Sequence, residues 1–264
     1  MPAPTTDFAR AARPGRRIGH AVEVHRTIGS TSDRARELLD AEGLKGVAVV
    51  AEEQRAGRGR RGRTWMSPPG LNLMVSVALR PRLAVDDAWQ LGQAVALATR
   101  EACRPVAPVN LKWPNDIVSD DGRKVGGILL ESALDGSRMV AAVIGVGLNV
   151  NWAPADMPPE IAPTATSLAR IGGAPVDRIA LLDRLVAALD AEVAAVEAGR
   201  SPLERYRAAC STLGAEVVVE VGEGRIEGRA TGIDGGGALV VVTADGPRSV
   251  TTGEVTRVRR AVPA

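Results

Sequence analysis

The sequence has few aromatic residues, few cysteines and no long apolar run. Four Trp, one Tyr and one Phe are its whole aromatic content, so a core must be built from Val, Leu, Ile and Ala. The two cysteines, Cys103 and Cys210, stand far apart in helical-looking stretches, which predicts buried free thiols in a reducing compartment. The apolar runs are shorter than the roughly 20 residues that cross a bilayer, and the N-terminus lacks a signal-peptide core. We therefore expect a cytoplasmic protein without a membrane partner.

Charge of either sign is also not in large excess. The 33 basic and 31 acidic residues leave a net charge of +2, and the basic surplus is concentrated at residues 10–17 and 55–63. This balance argues against a global field for nucleic acid or membrane.

The chain of 264 residues is longer than one usual core, which predicts a large domain and a small one. Residues 1–18 mix Pro, Ala, Gly and Arg without periodicity and predict a disordered tail. Residues 19–212 alternate strand and helix signals and predict an α+β domain. Residues 213–264 hold short Val-rich runs between glycines and predict a small all-β barrel of about five strands.

Within the large domain, periodicity and turn residues predict the following elements. Helices are expected from Ser30 to Gly43, Ala84 to Ala102, 178 to 198 and Pro202 to Cys210. Strands are expected at 47–51, 71–79, 109–113, 117–118, 125–130 and 140–146.

One loop, from Arg55 to Thr64, carries five arginines and three glycines between two predicted strands. Glycines let a backbone approach a ligand closely, and guanidinium groups bind carboxylate or phosphate through paired donors. The loop is a candidate mobile anion-binding element. A solvated basic loop, or one that grips a nucleic-acid backbone, fits its composition equally well.

Two further segments carry candidate functional groups. Lys112-Trp113-Pro114-Asn115-Asp116 ends a strand, and a hairpin returning through Lys124 would bring an ammonium close to the Asp116 carboxylate at a sheet edge. An ordinary turn with a surface salt bridge is the alternative. The strand from Gly145 to Asn151 combines close-approach glycines with Asn149, which can donate and accept hydrogen bonds, although the same glycines would serve packing.

Taken in this order, the three segments resemble the biotin–protein ligase family. GRGRRGRTW at 57–65, KWPND at 112–116 with KVGGIL at 124–129, and GVGLN at 145–149 are similar to its catalytic signatures. Ser30-Thr31-Ser32 is similar to its early Ser-Thr-Asn element, with Ser32 where Asn is frequent. The resemblance covers residues 20–260. It implies a mixed β-sheet packed with helices, of the class II aminoacyl-tRNA-synthetase-like kind, plus a C-terminal SH3-like barrel.

The resemblance also implies an activity. Biotin and ATP would form biotinyl-5′-AMP, and the biotin would pass to a lysine of a biotin carboxyl carrier domain. Mg²⁺ would enter with ATP, because the sequence offers no dedicated metal-ligand cluster. The family's bifunctional members carry a helix-turn-helix domain that residues 1–18 are too short to supply, so we expect the monofunctional type, which does not bind DNA. A monomer or a weak homodimer is expected.

Site residues follow by matching motif positions. Lys124, Arg60 and Asp116 are the expected catalytic groups: Lys124 would bridge carboxylate and phosphate, and Asp116 would orient or deprotonate the acceptor lysine. Asn115 and Asn149 would contact adenine, and Trp65 would pack under the loop and nucleotide or else belong to the core. The residues expected to bind biotin or the adenylate are Ser30, Thr31, Ser32, Gln54, Gly57, Arg58, Gly59, Arg60, Arg63, Trp65, Lys112, Asn115, Lys124, Gly127 and Asn149.

The sequence leaves two rival functions open. Lipoate–protein ligases share the fold and the acyl-adenylate chemistry, but their loop has a glycine triplet that is absent near Arg58. A nucleic-acid-binding protein would use the basic loop as a grip and the barrel as its RNA-binding module. The predicted barrel contains no aromatic residue on which bases could stack.

Overall fold

A computed structural model of the chain describes residues 6–41 and 43–259. The strands of this part are β1 (Val22–Ile28), β2 (Ala48–Gln54), β3 (Leu73–Leu79), β4 (Asn110–Lys112), β5 (Asp116–Val118), β6 (Lys124–Asp135), β7 (Arg138–Leu148), β8 (Glu216–Val221), β9 (Gly224–Ile233), β10 (Leu239–Thr243), β11 (Gly246–Val250) and β12 (Glu254–Arg259). Its α-helices are α1 (Thr31–Ala41), α2 (Ala88–Cys103), α3 (Leu168–Gly172), α4 (Arg178–Glu197) and α5 (Leu203–Ala209).

The large domain is built on a seven-stranded sheet with the order β1-β2-β3-β7-β6-β5-β4. β1 and β2 run parallel, and each of the other neighbouring pairs is antiparallel. Every side chain of β3 is buried, because the sheet is covered on both faces. The main core faces α2 and α4, and a smaller cluster of Val49, Ala78 and Val143 faces Leu38 and Leu39 of α1.

Helix α4 shows why the sequence pattern was informative. Its N-cap Asp177 accepts hydrogen bonds from the backbone of Ile179 (2.8 Å) and Ala180 (3.2 Å), and Gly199 after its end has a φ of 80°. Leu181, Leu185 and other residues on one face are fully buried. The predicted helix over 178–198 is thereby confirmed. The helix predicted from Ala84 is instead a 3-10 turn (Val85–Asp87) followed by α2.

The N-terminal segment is packed against the large domain, so the prediction of disorder is wrong for residues 6–18. Phe8 lies in a 3-10 turn and is fully buried. Arg13 and Arg16 bind Asp183 of α4 at 3.0 and 2.6 Å. The composition gave no sign of this because the acidic partner lies far along the chain. Residues 1–5 lie outside the described part.

The small domain is a five-stranded antiparallel sheet with the order β11-β10-β9-β8-β12. Val219, Val241 and other aliphatic side chains fill its interior. It packs on the large domain near Gly237, whose carbonyl accepts a hydrogen bond from Trp113 Nε1 at 3.4 Å. The predicted fold class, a mixed sheet with helices and a C-terminal β domain, is confirmed.

No helix among residues 6–41 and 43–259 has both the length and the apolar character of a membrane span. The same residues contain no group of three or more His, Cys, Asp or Glu side chains placed to share a metal ion.

Candidate active site

A cavity of about 330 Å³ lies between the arginine-glycine loop and strands β2, β3, β7 and β6. A volume of this size fits a small organic ligand. The structure brings most of the predicted site residues to it: Ser30, Thr31, Ser32, Gln54, Arg58, Gly59, Arg60, Arg63, Trp65, Asn115, Lys124, Gly127 and Asn149. The other three, Gly57, Lys112 and Asp116, are not among the residues that line it.

One end of the cavity is a cluster of uncharged polar groups. The Gln54 Oε1 atom accepts hydrogen bonds from the backbone N–H (2.8 Å) and hydroxyl (3.0 Å) of Thr31. The hydroxyl of Ser76 lies 2.8 Å from Thr31 Oγ1 and 3.0 Å from Ser32 Oγ. Thr31, Ser32 and Ser76 are buried, so a ligand that displaces one of these hydrogen bonds must replace it with one of its own. We call Thr31, Ser32, Gln54 and Ser76 the hydroxyl end.

The arginine-glycine loop is closed on itself by backbone hydrogen bonds. Gly57 O accepts from Trp65 N at 2.9 Å, and Arg63 O accepts from Gly59 N at 2.6 Å. A Cβ atom at Gly57 would lie 2.6 Å from Trp65 O, so the root of the loop requires glycine. Arg61 has a φ of 58°, which turns the chain at the tip. Residues 58–60 and 63–65 of this loop line the cavity, and we call residues 57–65 the lid.

The lid arginines have acidic partners on both domains. Arg58 donates to both carboxylate oxygens of Asp33, at 2.8 and 2.6 Å, and this bonding lowers the pKa of Asp33 despite its partial burial. Arg63 pairs with Glu254 of the small domain, and Arg61 lies 3.8 Å from the same carboxylate. The lid is therefore held between α1 and β12 by ion pairs.

Arg60 lines the cavity and is the half-buried arginine of the lid, whereas Arg58, Arg61 and Arg63 are exposed. Its Nη1 donates to Asn115 Oδ1 at 3.2 Å and to Gly253 O at 3.4 Å. Burial lowers the pKa of Arg60, although the nearby carboxylate of Asp116 opposes the shift. A half-buried guanidinium bonded only to neutral oxygens is well placed to gain an anionic ligand.

Lys124 and Asp116 meet as the hairpin spacing predicted. The Nζ atom lies 2.6 Å from Asp116 Oδ1 and 5.8 Å from the centre of the Trp65 ring. The Lys124 backbone is fixed by Thr164 and Thr166, whose O and N atoms lie 2.7 and 2.9 Å from its N and O. A point charge on a fixed backbone therefore faces the middle of the cavity.

Lys112 stands opposite Asp116 in the β4–β5 pair. Burial lowers the pKa of Lys112, and the carboxylate of Asp116 works against that shift. Lys112 therefore adds positive charge close to Asp116 without lining the cavity.

Trp65 lies half-buried inside the cavity, so it is not a core aromatic. A Cβ atom at Gly147 would lie 2.6 Å from Trp65 Cε2, and one at Gly127 would lie 3.5 Å from Trp65 Cζ3. Gly127 and Gly147 are register partners in neighbouring strands. Together they form a flat shelf that accommodates the indole ring.

The two asparagines are oriented by backbone groups. Asn115 Nδ2 donates to Ile128 O at 2.8 Å, and Asn149 Nδ2 donates to Thr166 O at 3.1 Å. Both side chains are thus fixed by the protein itself.

Comparison with known proteins decides the family. Residues 24–149 match the biotin/lipoate A/B protein ligase family, and residues 212–257 match the biotin protein ligase C-terminal domain. A biotin–[acetyl-CoA-carboxylase] ligase of Paracoccus denitrificans is 36% identical over 85% of this chain and 96% of its own length. The chain belongs to the biotin protein ligase family. A Mycobacterium tuberculosis ligase of the same name is 34% identical over 89% of the chain and 88% of its own length.

Solved biotin protein ligases share the whole two-domain fold. The ligase from Aquifex aeolicus in complex with biotin and ATP superimposes with a TM-score of 0.75 at 30% identity, covering 91% of this chain and 99% of that one. The predicted family and enzyme class are therefore confirmed.

Sequence reasoning missed part of the biotin protein ligase cavity. Ser76 was read only as part of an apolar strand, yet a single polar residue within Leu73–Leu79 is the signal that marks it. The loop that carries Trp152, Glu160, Ile161, Thr164 and Ala165 also lines the cavity. Glu160 is the charged residue among these five and stands in no recognisable motif, so this wall could be found only from the fold.

Proposed function

We propose that the chain activates biotin with ATP as biotinyl-5′-AMP and transfers the biotin to a lysine of a biotin carboxyl carrier domain. The observation that carries this proposal is the continuity of one cavity. Its hydroxyl end suits a neutral ring with hydrogen-bonding groups, and its middle, at Arg60 and Lys124, suits two anionic groups. The complex of the Aquifex ligase with biotin and ATP supports the same substrates.

The chemistry consists of two displacements at centres flanked by negative charge. A biotin carboxylate oxygen attacks the α-phosphorus of ATP, and the bond to pyrophosphate breaks. The acceptor amine then attacks the acyl carbon, AMP leaves with the electron pair, and the amine loses a proton. Stabilising charge at fixed positions is the main catalytic requirement. Lys124 and Arg60 are available to stabilise that charge. The two displacements need no nucleophilic side chain of the enzyme, because biotin and the acceptor amine are themselves the nucleophiles.

We propose that Asp116 acts in two stages. It orients Lys124 through the 2.6 Å contact during adenylation. It then accepts or orients the proton of the incoming lysine, whose unperturbed pKa of about 10.4 leaves that amine mostly charged at neutral pH.

Mg²⁺ is proposed to arrive with the ATP phosphates. Mg²⁺ keeps several water ligands and is commonly held by one or two carboxylates and substrate phosphates. The absence of a three-carboxylate or histidine cluster from residues 6–41 and 43–259 fits that mode of binding.

The hydroxyl end favours biotin over lipoate. The ureido ring of biotin can both donate and accept hydrogen bonds, whereas a dithiolane ring offers only weak sulfur acceptors. A lipoate ring that displaced one of the hydrogen bonds among Thr31, Gln54 and Ser76 would offer no equivalent group in its place. A nucleic-acid grip is disfavoured because Arg58 and Arg63 already bind carboxylates.

The test is to incubate the protein with ATP, Mg²⁺ and either biotin or lipoate, and to follow pyrophosphate release with and without a biotin carrier domain. We expect a biotin-dependent burst without the carrier and continuous turnover with it. No biotin-dependent pyrophosphate, or equal turnover with lipoate, would refute the proposal.

A further inference from the structure

Glu52 and Arg178 form a buried ion pair outside the cavity. Their side chains are 4% and 7% exposed, and two contacts of 2.6 and 3.2 Å join the guanidinium to both carboxylate oxygens. Burial raises the pKa of Glu52, but hydrogen bonds from Arg178 and Thr6 outweigh it, and the net shift is downward. Arg178 is the first residue of α4, where the helix dipole disfavours a cation. The fold thus retains a buried cation at an electrostatically poor position.

The pair connects the end of β2 with the start of β3, and the lid lies in the segment between these two strands. Glu52 lies two residues before Gln54, which belongs to the hydroxyl end, and its Oε2 accepts from Gly70 N at 3.2 Å. Arg178 Nη1 donates to Asn72 O at 3.0 Å. The chain leaves the sheet at Gln54 and re-enters it just after Asn72. The segment that contains the lid is therefore fixed by this pair at its return to the sheet.

Asn72 extends the connection to the other side of the cavity. Its Oδ1 accepts from Val150 N at 2.9 Å, and Val150 follows Asn149. The carboxylate and guanidinium are thus linked to the strand that carries Gln54, to the return of the lid segment and to the end of β7. None of these contacts reaches into the cavity.

We infer that Arg178, acting through Glu52 and Asn72, is a positioning residue for the lid and the hydroxyl end. The inference builds on the proposed biotin-activating function. Lys124 and Arg60 are held by other contacts, so the chemical step at saturating substrate depends little on Arg178. Retention of biotin and its adenylate depends on it strongly.

The first test is Arg178→Gln. We expect KM for biotin and the release rate of biotinyl-5′-AMP to rise about tenfold, since small displacements of a site have effects of this size or larger. Single-turnover adenylation at saturating biotin and ATP should change less than about threefold. The control is Arg16→Gln, which breaks the 2.6 Å pair with Asp183 between the same N-terminal segment and the same helix. It should leave both parameters unchanged.

A second variant separates positioning from folding. Removing one partner of a buried pair leaves an uncompensated charge, whereas removing both charges is often tolerated. Glu52→Gln combined with Arg178→Met should therefore fold with a near-normal melting temperature and still show the raised KM and release rate. Arg178→Lys in the otherwise unaltered chain should restore KM and the adenylate release rate only in part. An ammonium cannot make the paired hydrogen bonds that the planar guanidinium makes to a carboxylate.

The outcomes are distinguishable. A folded double variant with the KM and adenylate release rate of the unmodified protein would overturn the inference. Equal changes in the Arg16→Gln control would also overturn it, because they would trace the effect to docking of the N-terminal segment. Failure of the proposed function itself would appear earlier, as an unmodified protein without biotin-dependent pyrophosphate release.

Discussion

The indole of Trp65 rests against the backbone of Gly147, where an added Cβ atom would lie 2.6 Å from the ring. Real Cβ atoms do not approach neighbours so closely, so any side chain at this position must displace the ring. Because Trp65 is the last residue of the lid, its ring position is coupled to that of the lid arginines. Gly147 must therefore be glycine because the Trp65 ring of the lid packs against it, and not because β7 needs an unusual backbone conformation there.

Gly147→Ala should therefore impair the site without unfolding the protein. We expect kcat/KM for biotin-dependent pyrophosphate release to fall at least about tenfold. Gly232→Ala in β9 is the matched control, because a Cβ atom there meets nothing within 4 Å. Unchanged kinetics in the Gly147 variant would show that the ring position is irrelevant to activity.

Lys124→Ala should abolish adenylate formation while leaving biotin binding measurable. Removing a charge that stabilises the reacting groups typically costs about 100- to 1000-fold in rate, and Lys124 does not contact the hydroxyl end. Single-turnover adenylation measures the first effect and calorimetry the second. The control is Lys45→Ala, because Lys45 is exposed and precedes the start of β2, whereas Gln54 of the hydroxyl end lies at the end of that strand. Normal single-turnover adenylation would remove Lys124 from the mechanism.

Arg60→Gly should weaken retention of biotinyl-5′-AMP, because this side chain is the half-buried cation of the lid and lines the cavity. Escaping intermediate should label lysines of an added bystander protein, and its off-rate should rise about tenfold or more. Lys45, Lys112 and Lys124 are the chain's own lysines, so self-labelling can be assigned by peptide mapping. An unaltered off-rate would mean that the loop does not act as a lid.

Acid should destabilise the protein partly through Glu52. Its folded pKa lies below the ordinary value of 4.5, so its stabilising contribution is complete above that value and is lost as pH falls through the lower folded pKa. Thermal melts from neutral pH down to about pH 3 should show a shallower acid loss for Glu52→Gln combined with Arg178→Met. A slope identical to that of the unmodified protein would contradict this assignment.

Contacts between residues close in sequence could be predicted at the site, whereas contacts between distant segments could not. The Lys124–Asp116 contact was predictable because a short hairpin joins the two residues. The hydrogen bonds of Ser76 were not, because the hydroxyl groups that it contacts lie on α1 and are brought close only by the packing of that helix on β3. The residue roles themselves remain predictions.

The fold shows the same division. Helix α4 was predictable from a local apolar period and from Gly199 after its end. The packing of residues 6–18 was not, because Arg16 binds a carboxylate 167 positions away. Local patterns therefore indicated elements, whereas long-range ion pairs required the assembled structure.

The insertion of β7 between β3 and β6 also bears on how the enzyme is made. Leu73 pairs with Leu148 in this arrangement, and Gly127 pairs with Gly147 on the other side. The hydroxyl end and the Lys124 hairpin are therefore synthesised first and joined only when the strand between them emerges from the ribosome. Such non-local pairing is slow relative to local structure formation. The reactive centre should consequently be among the last parts of the large domain to acquire protection from hydrogen exchange during refolding.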